Sequence, residues 1–344
     1  MNNHLLPFPY NQSHPPTWLD HVVRPLSNIL LSRWPRQSKP ENPLVTPIPL
    51  QNTSDSPSDP PIRIICISDT HNATPSLPPG DILIHAGDLT AKGTFDEIQA
   101  QLRWLSSQPH RHKIVIAGNH DILLDEDCDA KFVTRLEDGV HQRKNLDWVD
   151  IQYLQDEAIT VSIPIQITDD EISQQQGQVR KIKIYGSPST PECGTWAFQY
   201  PAIRDVWTGR VPDDTDILVV HGLPALYGDC DGETETSGEV RVKGDGYLLR
   251  EIWRVRPKMV VCGHIHGAFG VSVVRHDRVQ DAVDGLRMRW PEHGVLGALQ
   301  RVFWSGIGTV RGVDSLKETV VVNAAFAGGA FETEDKGAIA IDFR

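Results

Sequence analysis

The stretches IRIICISDTH (62–71) and DILIHAGDLT (81–90) share one layout: a short run dominated by Ile and Leu stops at a polar cluster, Asp69-Thr70-His71 in the first and Gly87-Asp88 in the second. An apolar run this short, cut off by turn residues, is the pattern of a strand rather than of a helix. The layout recurs and marks strands over Arg63–Ile67, Asp81–His85, Lys113–Ala117, Thr160–Ile167, Lys181–Tyr185, Ile217–His221, Lys258–Cys262, Val320–Asn323 and Ala338–Phe343. Two helices are signalled. One opens at the capping box Thr94-Phe95-Asp96-Glu97 and places Ile98, Leu102 and Leu105 on one face; the other carries Leu248, Leu249, Ile252 and Val255 ahead of Pro257. Strands interleaved with helices predict an α/β (α+β) sandwich.

The 344 residues are 39% hydrophobic and 23% charged, long enough to bury a large core. With 33 Lys and Arg against 45 Asp and Glu the net charge is -12, which argues against long nucleic acid as a partner. No apolar run is long enough for a membrane-spanning helix, and Met1-Asn2-Asn3-His4-Leu5 lacks the features of a secretory signal, so a soluble, cytoplasmic protein is the expectation. The five cysteines have no CxxC spacing and suggest neither a disulfide framework nor a thiolate zinc site; Cys66 and Cys262 read as buried thiols. Residues 1–61 hold 13 of the 25 prolines and read as a Pro-rich extension ahead of a domain over 62–344. Within it, Thr17-Trp18-Leu19-Asp20 opens a short helix expected to dock on the domain. Polar Thr168–Gln178 reads as a hairpin loop, and 276–318 as an insertion forming a lid or surface elaboration.

Five polar clusters follow strands in order: Asp69-Thr70-His71, Gly87-Asp88, Gly118-Asn119-His120-Asp121, His221-Gly222 and Gly263-His264-Ile265-His266. In a layered domain the strand ends converge on one edge, so these clusters are expected to share a crevice. Carboxylate, amide and imidazole donors without a thiolate are the donors of a divalent metal site. Alternate side chains of an extended segment share a face, so Asp69 with His71, and His264 with His266, are each a two-donor hook.

The ordered set resembles the calcineurin-like metallophosphoesterase superfamily, over about Ile62 to Phe343. Further matches at Tyr185-Gly186-Ser187-Pro188, Trp196-Ala197-Phe198 and Val322-Asn323-Ala324 look like its metallophosphoesterase-domain-containing subgroup, which includes brain-expressed phosphodiesterases. The resemblance implies a four-layer αββα sandwich with two divalent metal ions at the strand ends. One ion would take Asp69, His71 and His266, the other Asn119, His221 and His264, with Asp88 bridging. Mn, Fe, Zn or Mg suit these donors, with Mn favoured.

On this reading the protein hydrolyses phosphodiesters by metal-activated water, with small or cyclic nucleotides as the expected substrates. His120 would act on a phosphate oxygen or the leaving alkoxide, and Asp121 would orient it. The alternatives are a phosphomonoesterase or phosphoprotein phosphatase, and a non-enzymatic metal- or nucleotide-binding scaffold. His85 is expected to support the ligands or pack the core, and His110 and His112 to lie at the surface. Trp196 and Phe198 either wall the pocket or pack the core. The oligomeric state is not legible.

Overall fold

In a computed structural model, residues 48–49, 60–127, 142–164, 179–227, 244–288, 290, 317–327 and 336–344 are described. Strand β1 (Ile48–Pro49) is followed by β2 (Ile62–Ile67), β3 (Ile82–Ala86) and β4 (His112–Ile116). A pleated strand sends successive side chains to opposite faces, so each of the last three feeds two cores. Ile64, Cys66, Ile82, Ile84, Ile114 and Ile116 point to one side of the sheet; Ile65, Ile67, Leu83 and Val115 point to the other.

Helix α1 (Phe95–Ser106) covers that second face with Ile98, Leu102 and Leu105. The expected capping box is formed: Thr94 Oγ1 accepts from Glu97 N at 3.3 Å, and the Glu97 carboxylate accepts from Thr94 N at 3.2 Å. β5 (Ile151–Tyr153) extends β2–β3–β4 as a further parallel strand. On the far side of β2, β14 (Ile339–Phe343) pairs antiparallel, and β1 pairs with β14.

The second sheet is built from β6 (Glu157–Pro164), β7 (Val179–Ser187), β10 (Ile217–Val220), β11 (Met259–Cys262), β12 (Gly270–Arg275) and β13 (Glu318–Asn323). Its order is β12–β13–β11–β10–β7–β6, with the two outermost strands antiparallel to their neighbours. β8 (Thr190–Pro191) and β9 (Gln199–Tyr200) form a separate ribbon. Ile184, Val219, Val261 and Val322 pack against the first sheet's inner face, whereas Leu218, Val220 and Val260 meet helix α2 (Gly246–Val255) outside. Each fully buried Ile or Leu in these cores contributes roughly 1.5–3 kcal/mol. The result is the expected four-layer αββα sandwich.

Several elements differ from the sequence reading. The strand expected over Thr160–Ile167 runs instead over Glu157–Pro164; it pairs antiparallel with β7, Pro164 opposite Val179, and residues 165–178, with the hairpin loop, lie outside the described residues. β5 and β12 were not anticipated, the first being only three residues long and the second following a His-rich turn and opening on Gly270. His110 is buried, not at the surface, because its Nε2 donates to the Pro78 carbonyl at 3.1 Å; His112 is half-buried at the start of β4.

The described start of the 276–318 insertion contains α3 (Arg278–Arg287) and packs on the outer layer of the second sheet. There Asp284 accepts from Tyr227 Oη at 2.8 Å, Trp253 Nε1 at 3.1 Å and Gln280 Nε2 at 2.8 Å. Residues 291–316 and the helix expected near Trp18 lie outside the described residues. Among those described, no helix is long and apolar enough to cross a membrane. Cys66 and Cys262 are buried free thiols, and burial pushes both pKa values up.

Candidate metal centre

The C-terminal ends of β2, β3 and β4 share one edge of the first sheet and carry Asp69, His71, Asp88 and Asn119. Those of β10 and β11 carry His221, His264 and His266. The two edges meet. His266 Nε2 lies 3.2 Å from Asp69 Oδ1, and the backbone N–H of His264 lies 3.0 Å from both Asp69 oxygens. His221 Nδ1 donates to the Ala86 carbonyl at 2.8 Å, while its Nε2 sits 3.1 Å from Asn119 Oδ1 and 3.4 Å from Asp88 Oδ2. His71 Nδ1 donates to the Thr90 carbonyl at 3.1 Å, and its Nε2 is 3.9 Å from the same Asp88 Oδ2. Asp88 Oδ2 therefore lies between imidazoles of opposite sheets, while Oδ1 accepts from His120 N at 2.8 Å.

Among the described residues, three groups of side chains have donor atoms within 4.8 Å of one another: Asp69, His71 and His266; Asp88, His221 and His264; and His71, Asp88 and His120. The first joins the residues expected at one ion; the second joins Asp88, the expected bridge, to His221 and His264, whose third expected companion, Asn119, has its Oδ1 3.1 Å from His221 Nε2. The donors also suit a cation chemically. His71 and His221 each tie Nδ1 to a carbonyl, which fixes the tautomer and presents Nε2.

The backbone is bent to make this possible. Asp69, His71, Asp88 and His264 have φ of 54°, 44°, 53° and 66°, a region non-glycine residues seldom occupy and one that stores strain at functional sites. Two glycines allow the close approach. A Cβ on Gly118 would stand 2.3 Å from both Asp88 N and Oδ1, and one on Gly263 would stand 2.2 Å from Asp69 Oδ2.

Burial and charge oppose each other in the cluster. Burial pushes the Asp69 carboxyl up, but the hydrogen bond to His266 and the charges of His221 and His266 bring it below the ordinary range. Burial likewise raises Asp88, and His221 outweighs it, so that Asp88 too is lowered. His221 feels burial downward and Asp88 upward, with a result of about 9, whereas burial depresses His264 to about 4 and lowers His71. A cation at these nitrogens would compete with the proton on His221.

Around the donors, His120 Nδ1 donates to the Ala91 carbonyl at 2.9 Å, and its ring stacks on Trp196 with centroids 4.1 Å apart. Trp196 thus stands beside the site, while Phe198 packs against the α1-side core. Asp121, expected to orient His120, sends its side chain elsewhere: it accepts from Gly118 N at 2.9 Å, Leu89 N at 3.2 Å, Thr90 N at 3.0 Å and Thr90 Oγ1 at 2.7 Å. It ties the loop after β3 to the loop after β4. Burial, and then the charge of Asp88, push its pKa up to about 6.

His85 is fully buried with Nε2 3.0 Å from Thr70 Oγ1, so it supports the loop between Asp69 and His71. Two supports escaped the sequence reading. Ser68 Oγ donates to the carbonyls of Ala86 and Gly87, and Asn323 Nδ2 donates to the Ile265 carbonyl between His264 and His266. Their positions beside the Asp69 cluster and at the end of β13 were the available signal.

A family model described as calcineurin-like phosphoesterase matches residues 62–268. Metallophosphoesterase domain-containing protein 1 of Homo sapiens is 34% identical over 246 residues, 69% of this chain and 69% of that protein. A UPF0046 protein of Caenorhabditis elegans is 29% identical over 258 residues, 73% of this chain and 85% of that protein. A protein of Emericella nidulans named probable rhamnogalacturonate lyase C is 37% identical over 292 residues, 82% of this chain; the match spans only 24% of that protein's length.

Proposed function

The chain belongs to the calcineurin-like phosphoesterase family, and from that membership we propose that it is a two-metal phosphodiesterase acting on small phosphodiesters such as cyclic nucleotides. The family is one of metal-dependent hydrolases of phosphoesters. The observation that carries the reading is the complete donor set, with Asp88 Oδ2 between His71 and His221. Asp69, His71 and His266 would hold one divalent cation and Asn119, His221 and His264 the other, with Asp88 between them. Bound there, such cations supply Lewis acidity that lowers the pKa of a water and offsets phosphoryl charge.

The protein's own part is positioning and proton transfer. With Nδ1 held by Ala91, His120 has Nε2 to protonate the departing oxygen. Asp121 keeps that loop in register with the loop bearing Asp88. The sugar-lyase name of the Emericella nidulans relative belongs to a protein most of whose length has no counterpart here.

The test is hydrolysis of bis(4-nitrophenyl) phosphate against 4-nitrophenyl phosphate, with protein stripped of metal and reloaded with Mn. Faster diester cleavage is expected, falling by more than about 100-fold in Asp88→Asn, since even residues behind a metal ligand cost 10–100-fold. Preferred monoester cleavage would replace the diesterase reading by a phosphatase.

A further inference from the structure

Among the described residues, Trp196 is one of the few large apolar side chains left open to solvent, 38% exposed, and it lies against the candidate proton donor. An exposed tryptophan alone needs no explanation. This one is held in place. The indole is stacked on the His120 imidazole at an interplanar angle of 27°, the Trp196 backbone N–H donates to Gln199 Oε1 at 3.1 Å, and the next residue's N–H donates to the Asn119 carbonyl at 3.2 Å. His120 in turn meets His71 edge-on, with centroids 4.8 Å apart. Three rings therefore lead from solvent to the metal donors in the order Trp196, His120, His71.

We propose that Trp196 is the platform on which the planar ring of a substrate stacks, so that the site prefers phosphoesters carrying a nucleobase or similar flat aromatic group. The proposal rests on the phosphoesterase reading above. The logic is one of adjacency. A substrate oxygen within reach of His120 leaves the rest of that group beside the indole, whose face accepts any base regardless of its hydrogen-bonding edge. A ring fixed beforehand by stacking and backbone bonds loses little freedom when a second ring joins it.

The test measures binding of adenosine 5′-monophosphate and ribose 5-phosphate to the full, Mn-loaded chain by calorimetry; the two share phosphate and sugar and differ by the base. Wild type should bind the adenosine compound at least about tenfold more tightly, as one stacked base contributes. That ratio should collapse in Trp196→Ala and largely survive in Trp196→Phe. The ratio reads stacking alone, because disturbance of His120 would weaken both ligands together. An equal affinity for the two in wild type, or a ratio unchanged in Trp196→Ala, overturns the platform while leaving the phosphoesterase reading intact. Failure of either compound or inorganic phosphate to bind would overturn both.

Discussion

His120 is fixed at its backbone N–H by Asp88, at Nδ1 by the Ala91 carbonyl and at one ring face by Trp196. His120→Ala keeps the first of these, so Asp88 retains its partner while the ring disappears. Turnover should fall by roughly 100-fold, the lower range for general acid catalysis, with metal content per chain unchanged by elemental analysis. Undiminished turnover at full metal content would remove the ring from the reaction. The candidate metal donors were legible in the sequence because each sits at a fixed offset after an apolar strand, and strand ends meet by geometry. The role of Asp121 was not: proximity in the chain pointed to His120, whereas its hydrogen bonds cross to Thr90, 31 residues away. Nor could the Pro78 carbonyl that buries His110 be read from either segment alone.

Helix α1 shows how a local signal reaches the site. The Glu97 that closes the capping box with one carboxylate oxygen also accepts from Asn72 Nδ2 with the other, at 2.9 Å, and Asn72 follows His71. Thr94→Ala removes the acceptor for Glu97 N and should lower stability by about 1 kcal/mol, seen as a lower urea midpoint at constant slope. A change below a few tenths would mean that packing of Ile98, Leu102 and Leu105 sets the helix start by itself. The other elements divide on the same principle. Strands β2, β3, β10 and β11 are buried on both faces and read as continuous apolar runs, whereas β6 is buried only at Val161 and Ile163 among more exposed residues; its start was misplaced by three residues from Thr160 to Glu157. β5 is held by its pairing with β4, which no short window of sequence displays.

The layered architecture also explains one contact, far from the centre, that weakens as pH rises. Asp284 joins α3 to Tyr227 and Trp253 in the outer layer of the second sheet, and burial pushes its carboxyl up to about 6. The unfolded chain releases that proton at the ordinary aspartate pKa, so the linked stability is full below about pH 4 and is lost as pH rises through 6. The stability of wild type relative to Asp284→Asn should therefore decline by on the order of 2–3 kcal/mol between pH 4 and 6.5 in denaturant titrations. A flat difference would show that the three hydrogen bonds keep the carboxylate ionised throughout. The site's division between the sheets reaches further still. Asp69 and His71 stand on one sheet and His266 on the other; Asp88 stands on the first, and His221 and His264 on the second. A chain with a single sheet assembled owns only a fragment of each donor group. On the proposed two-metal reading, cation capture would work as an inspection step at the end of folding, passing finished molecules and ignoring half-built ones, and the free cation level in the surroundings would become one of the settings that decide how much of the protein stays folded.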